Sequence, residues 1–191
     1  MTGSRAATHF QCLYQANPDP WGFRTSAYEQ TKYCRTLSAL GDRHFISGLE
    51  VGCSIGVLTR VLAERCDALL GVDIVEDPLE AARSRCTDQP HVQFRRMQVP
   101  AEWPEGCFEL MVFSEVLYFL SAADIERCAS RVRGSLLPAS MVVLVNWLGQ
   151  TDDPTPGNEA AEMFIGATAG RLTVMRRERH EGYRLDVLVA G

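Results

Sequence analysis

The chain has 191 residues, 46% of them hydrophobic, which suits one domain at roughly 100 to 200 residues per domain and suffices for a core without staples. Its 24 acidic and 19 basic residues leave a net charge of -5, so no global field draws in a phosphate backbone and nucleic acid is not an expected partner. No apolar run approaches the roughly 18 residues that span a bilayer, and residues 1–16 lack the apolar stretch of a signal peptide, so no membrane partner and a cytoplasmic location are expected. The seven cysteines contain no C-x-x-C pair and are odd in number, which argues against a zinc site or a disulfide framework and for reduced thiols, mostly in the core.

The first 46 residues carry little strand pattern. Asn17-Pro18-Asp19-Pro20-Trp21-Gly22-Phe23 is dense in turn formers and aromatic residues, and reads as a lid leading into a helix over 26–40. From residue 47 short apolar runs alternate with segments of helical period, the mark of parallel strands joined by crossover helices. Strands are predicted over 48–52, 68–74, 91–97, 107–114 and 141–147, with helices over 57–66, 122–136 and 159–169. A further helix is capped by Asp77 with Pro78 at its first position, and Ser121 caps the helix at 122. Segments 172–179 and 183–189 are separated only by His180-Glu181-Gly182, a gap that permits only an antiparallel hairpin. The expected fold is α/β: a doubly wound, Rossmann-like, seven-stranded, mostly parallel sheet with a C-terminal antiparallel hairpin, preceded by a helical lid. One compact domain is expected overall, the lid being 1–46 and the ligand-binding domain 47–191, with ligands at the carboxyl ends of the strands.

Leu49-Glu50-Val51-Gly52-Cys53-Ser54-Ile55-Gly56 reads as a strand ending in an acid and a glycine before a helix. A dinucleotide fingerprint would place a glycine where Glu50 stands. A carboxylate there repels pyrophosphate but accepts hydrogen bonds from an ammonium group. Asp73 closes the next strand, 21 residues after Gly52, where an acid holds a ribose diol. An acid for an amine and an acid for a ribose describe S-adenosylmethionine better than NAD.

With these residues the sequence resembles the class I S-adenosylmethionine-dependent methyltransferases, and among them the small N-methyltransferases of the nodulation protein S type. The resemblance spans nearly the whole chain, through Asp19-Pro20-Trp21-Gly22-Phe23-Arg24-Thr25-Ser26 with Tyr28-Glu29 and Lys32-Tyr33, Glu50 to Gly56, Asp73, Val99-Pro100 and Ser114-Glu115-Val116-Leu117-Tyr118. It implies that Glu50, Gly52, Cys53 and Gly56 shape the methionine end of the cofactor, with Asp73 and Ile74 at ribose and adenine. It implies further that Gln98, Val99 and Pro100 line the adenine and that Ser114, Glu115 and Val116 lie beneath the sulfonium. Two positions depart from the pattern: Pro138-Ala139-Ser140 replaces the family's P-G-G, and Asn146-Trp147 stands where relatives have a histidine before the tryptophan.

The activity expected is N-methylation of an amino sugar or related small amine, with S-adenosylhomocysteine as by-product. Glu115, Tyr118 and Asn146 are the catalytic candidates. Asparagine can orient a hydroxyl or amine but cannot act as a base near neutral pH. Trp21, Arg24 and Tyr28 are the candidate cover over the cofactor, Arg24 supplying forked donors to its carboxylate. An O- or carboxyl methyltransferase, or a cofactor-binding partner protein without catalysis, are the alternatives on the same fold. No metal site is expected.

Overall fold

The computed structural model describes residues 3–191, so the first two residues of the expected lid lie outside it. Two compact units are present, one of residues 6–98 and one of residues 3–5 with 99–191.

In the unit of residues 6–98, helices α1 (Ala7–Ala16) and α2 (Ala27–Ala39) precede strand β1 (Phe45–Val51), helix α3 (Val57–Leu62), strand β2 (Cys66–Asp73), helix α4 (Glu76–Arg85) and strand β3 (Val92–Arg96). The strands lie parallel in the order β3-β2-β1. Leu49, Val51, Leu69 and Val72 of the strands and Leu58, Leu62, Leu79 and Ala82 of the helices are buried. Helix α3 is shorter than its apolar pattern predicts, because Ala63–Arg65 tighten into a 3-10 turn and Cys66 already belongs to β2. The expected cap Asp77 is also displaced. Val75 is the N-cap residue of α4, and Asp77 sits in the first turn, where a negative charge suits the helix dipole. Pro78 is tolerated there because the first backbone N–H groups have no partner inside a helix.

In the unit of residues 99–191, β4 (Phe108–Ser114), α5 (Ala122–Gly134), β5 (Leu136–Trp147), α6 (Gly157–Thr168), β6 (Leu172–Arg179) and β7 (Tyr183–Ala190) follow one another. The order is β4-β5-β7-β6, with β4 parallel to β5 and the others antiparallel. Ser121 caps α5 as expected, its hydroxyl accepting the Asp124 N–H. Strand β5 starts earlier than its apolar run, with a register shift opposite Phe108/Leu110 and Ala139 at a φ of 59°. The hairpin matches the expectation made from its three-residue gap.

A buried ionic network joins α6 to the hairpin. The Arg184 guanidinium donates to both oxygens of Asp186, at 2.8 and 2.9 Å, and to Asn158 and Glu162 at 2.8 Å each. Arg177 adds a second donor to Asp186. Both charges of the buried pair are thus neutralised and hydrogen-bonded, the condition under which such a pair is tolerated.

Seven strands, parallel pairing in β3-β2-β1 and in β4-β5, and the closing antiparallel hairpin make this the Rossmann-like α/β class read from the sequence. No helix among the described residues is long and apolar enough to cross a membrane.

Candidate functional site

In the unit of residues 6–98, the carboxyl end of β1 passes into α3 through a loop shaped by two left-handed glycines, Gly52 at φ 77° and Gly56 at φ 74°. At Gly56 a side chain is also excluded by contact, since a Cβ would stand 2.8 Å from that of Ala82 on α4. Removing the side chain lets the start of α3 close on α4. Gly52 and Cys53 both donate to the Val72 carbonyl, at 2.8 and 3.1 Å, so the loop is pinned to β2.

Glu50 stands opposite Gly71 in the β1–β2 ladder and is 2% exposed. Its Oε2 is buried and has no hydrogen-bond partner. Burial pushes its carboxyl up to about 8; the Thr59 hydroxyl opposes that rise and the Asp73 charge adds to it. A buried carboxyl with an unused acceptor is costly, and a cation hydrogen-bonded to it removes that cost. The expected role toward an ammonium group therefore fits the residue found.

Asp73 is placed as predicted, at the tip of β2. Its carboxylate is already engaged: Oδ2 accepts the Ser54 N–H at 2.9 Å and Oδ1 the Val75 N–H at 3.0 Å. Burial lifts it to about 6 against the pull of these donors. Each oxygen keeps a lone pair, so a ribose hydroxyl can still be accepted. Asp73 thereby also shapes the β1–α3 loop, a duty the strand-tip argument did not reveal. Ile74, next to it, is half-buried, and Gln98 beyond β3 is exposed. The Cys53 thiol is buried against the Gly71 backbone, and burial raises it well above its ordinary range.

The lid candidates are tied to this same loop through a residue that the sequence reading missed. Tyr14 on α1 is buried and shares a hydrogen bond of 2.5 Å with the Ser54 hydroxyl. The Trp21 ring stands edge-on to Tyr14, at 5.6 Å, and stacks on Phe23 at 5.5 Å. Asp19, also missed, organises the turn by accepting the Phe23 and Arg24 N–H groups at 2.8 and 3.1 Å and the Arg24 Nε at 3.2 Å. Tyr28 is exposed on α2, with the Lys32 ammonium 5.2 Å from its ring centre and Lys32 bonded to Glu29. The missed signal was Phe10 with Leu13 and Tyr14, spaced for one helical face. Helix α1 has no side-chain cap at Ala6 to announce it.

The other candidates belong to the unit of residues 99–191. Val99 is half-buried and Pro100 buried. Ser114, Glu115 and Val116 follow one another at the carboxyl end of β4, where Glu115 adopts a left-handed φ of 60°. Its N–H donates to the Val145 carbonyl at 2.8 Å, and its Oε2 accepts the Trp147 N–H at 3.0 Å. Glu115 thus clamps the tip of β4 to the tip of β5. Tyr118 is buried in the short turn Leu117–Phe119. Asn146 is 0% exposed, pairs with Arg184 across the ladder, and has neither amide atom hydrogen-bonded. Orphaned polar atoms at that depth cost about 1 to 3 kcal/mol each, a cost that a hydrogen-bonding ligand would remove.

The family model for nodulation protein S (NodS) matches residues 12–145. The chain belongs to the NodS family. The nodulation protein S of Bradyrhizobium diazoefficiens is 36% identical over 103 residues, covering 53% of this chain and 49% of that protein. That of Sinorhizobium fredii is 30% identical over 130 residues, covering 67% of this chain and 60% of its own. The chain spans about half to three-fifths of three of the curated relatives it matches and 80% of a fourth, from Azorhizobium caulinodans. A crystal structure of the N-methyltransferase NodS from Bradyrhizobium japonicum WM9 with S-adenosyl-L-homocysteine superposes with a TM-score of 0.80 at 22% identity, covering 95% of this chain and 97% of that one. This likeness carries the fold.

Proposed function

We propose that this NodS-family chain is an S-adenosylmethionine-dependent methyltransferase that N-methylates a small acceptor, an amino sugar or a related amine. Glu50 carries the reading, because its buried, unpartnered Oε2 at the tip of β1 is ionised and satisfied by a cation hydrogen-bonded to it, which a pyrophosphate cannot supply. Asp73 supplies the second acid, and the B. japonicum relative crystallised with S-adenosyl-L-homocysteine supports the same cofactor. The cytoplasm belongs to this reading, on the seven widely spaced thiols.

When bound, S-adenosylmethionine would supply a methyl group on a sulfonium to a neutral acceptor nitrogen, with S-adenosylhomocysteine as leaving group and one proton to be taken up from the methylated amine. The chain's own work is orientation, for which effective molarities correspond to roughly 7 to 11 kcal/mol of barrier. In this reading Glu50, Gly52 and Gly56 hold the methionine end, and Asp73, Ile74, Gln98, Val99 and Pro100 the nucleoside. Trp21, Arg24 and Tyr28 cover it, and Cys53 packs the loop from behind. Ser114 and Val116 border the transferred methyl. Asn146 orients the acceptor through its unpaired amide, while Glu115 fixes the strand tips and takes up the proton, with Tyr118 beside it.

Two measurements test this. Calorimetric titration should detect S-adenosylhomocysteine and no comparable binding of NAD. A panel following S-adenosylhomocysteine release should respond to glucosamine and its oligomers rather than to neutral sugars or small carboxylic acids. Comparable NAD binding overturns the cofactor assignment, and turnover confined to alcohols or carboxylates overturns the amine acceptor.

A further inference from the structure

We infer that the indole of Trp147 is a stacking surface for a pyranose ring of the acceptor, a specificity element that rests on the amino-sugar reading above. Trp147 ends β5, and the residue is 36% exposed. An exposed indole is ordinarily mobile, but this residue is held from three directions. Its N–H donates to Glu115 Oε2 at 3.0 Å. Its carbonyl lies where a Cβ on Gly157 would come within 1.9 Å of the oxygen. Its ring rests on the Gly149 backbone, where a Cβ would stand 2.3 Å from Cζ2. Two glycines thus make room for this ring and its backbone, which settles both on a fixed seat.

The surroundings brace the strand tip. Trp147 is directly opposite Tyr183 in the β5–β7 ladder, so the two side chains rise from the same face. The buried Tyr183 ring stacks on His180, with centres 4.7 Å apart and planes 24° apart. The hairpin turn that carries His180 is tied back to the end of β5 by the Leu148 N–H on the Gly182 carbonyl, at 2.8 Å. His180 in turn bonds Glu178 Oε2 at 2.7 Å. The result is one exposed indole at the strand tip, beside a buried Tyr183 stacked on His180 with a polar margin. A pyranose presents the matching chemistry: one face is a patch of polarised C–H groups suited to the negative face of an aromatic ring, and its rim is hydroxyls. A linear aliphatic amine has no such face. Immobilisation in the free protein means little ordering is left to occur on binding.

The test compares wild type, W147F and W147A on glucosamine, on chitotriose bearing one free amine, and on ethanolamine. S-adenosylhomocysteine affinity serves as the control for folding. W147A should raise KM for the sugar amines roughly three- to tenfold with kcat nearly unchanged, W147F should recover part of the loss, and ethanolamine should not distinguish the variants. As a direct readout, chitotriose should perturb the tryptophan fluorescence of the wild type and not that of W147F. Sugar amines turned over with an unchanged KM in W147A, or an equal KM rise for all three acceptors, overturn the stacking role and leave the amino-sugar reading in place. No turnover of sugar amines by wild type, with other acceptors methylated, overturns the reading and this inference together. If W147A does not bind S-adenosylhomocysteine, W147F and the fluorescence titration decide alone: an undiminished chitotriose signal in W147F overturns the role.

Discussion

Glu50 is buried at the cost of its own ionisation. Its carboxyl, lifted to about 8 in the ligand-free protein, binds more protons folded than unfolded between about pH 4.5 and 8. A group whose folded value is raised in this way weakens the fold as pH climbs through that window. Glu50→Gln should therefore raise the melting temperature of the ligand-free protein at pH 8 and leave it nearly unchanged at pH 4.5, measured by thermal unfolding. The same change should weaken S-adenosylhomocysteine binding roughly tenfold to a hundredfold, as expected for a lost charge-assisted hydrogen bond. Asp73 behaves differently because its oxygens already hold the Ser54 and Val75 amides. Asp73→Ala should weaken S-adenosylhomocysteine binding by calorimetry and also lower the melting temperature, since two backbone donors lose their acceptor. Both acids were legible from the sequence, because each ends a strand beside a glycine or at the expected spacing. Tyr14 was not, because it acts through a contact 40 residues away that only the folded chain creates; Asp19 was not, because a segment dense in turn formers does not say which side chain collects the backbone donors.

Among the elements, the strands and the hairpin could be read closely while the helix ends could not. Apolar runs such as Met111-Val112-Phe113 report burial directly, and a three-residue gap leaves one geometry for β6 and β7. Helix starts depend on caps: Ser121 and Ser26 announce theirs with a side-chain acceptor, whereas α1 and α4 begin at Ala6 and Val75, which offer none. Missing α1 changes the expectation for the lid. Its Tyr14 hydroxyl reaches Ser54, a left-handed residue with φ 49° in the loop after β1, so removing the first 28 residues would take away part of the loop's support along with the cover. Tyr14→Phe is the cleaner change. It should lower stability by about 1 kcal/mol in urea unfolding and weaken S-adenosylhomocysteine binding, while circular dichroism stays that of the wild type.

For the whole molecule, net charge set an expectation of no nucleic-acid partner and the alternation of apolar runs with helical segments pointed to the fold class, yet neither revealed the Asn146 vacancy in hydrogen bonding or the Arg184 network. Both arise where distant residues meet: Asn146 beside Arg184 across the ladder, and Arg184 beneath Glu162 and Asn158 of α6. Periodicity records that a position is inside and says nothing of which polar atoms it meets there. The cysteines carry a different kind of information. Cys12, Cys34 and Cys107 are exposed, while Cys53, Cys66 and Cys86 are buried in the unit of residues 6–98 and Cys128 in the unit of residues 99–191. Burial also raises the Cys53 and Cys128 thiols, suppressing the reactive thiolate. A thiol-reactive probe should modify three sites at once and the other four only as their surroundings open, which mass spectrometry can count. The chain thus carries its own clocks, one set in each unit. If Cys53 and Cys128 are labelled at a common rate in dilute denaturant, the two units open as one cooperative body; if Cys128 leads or lags, they open separately.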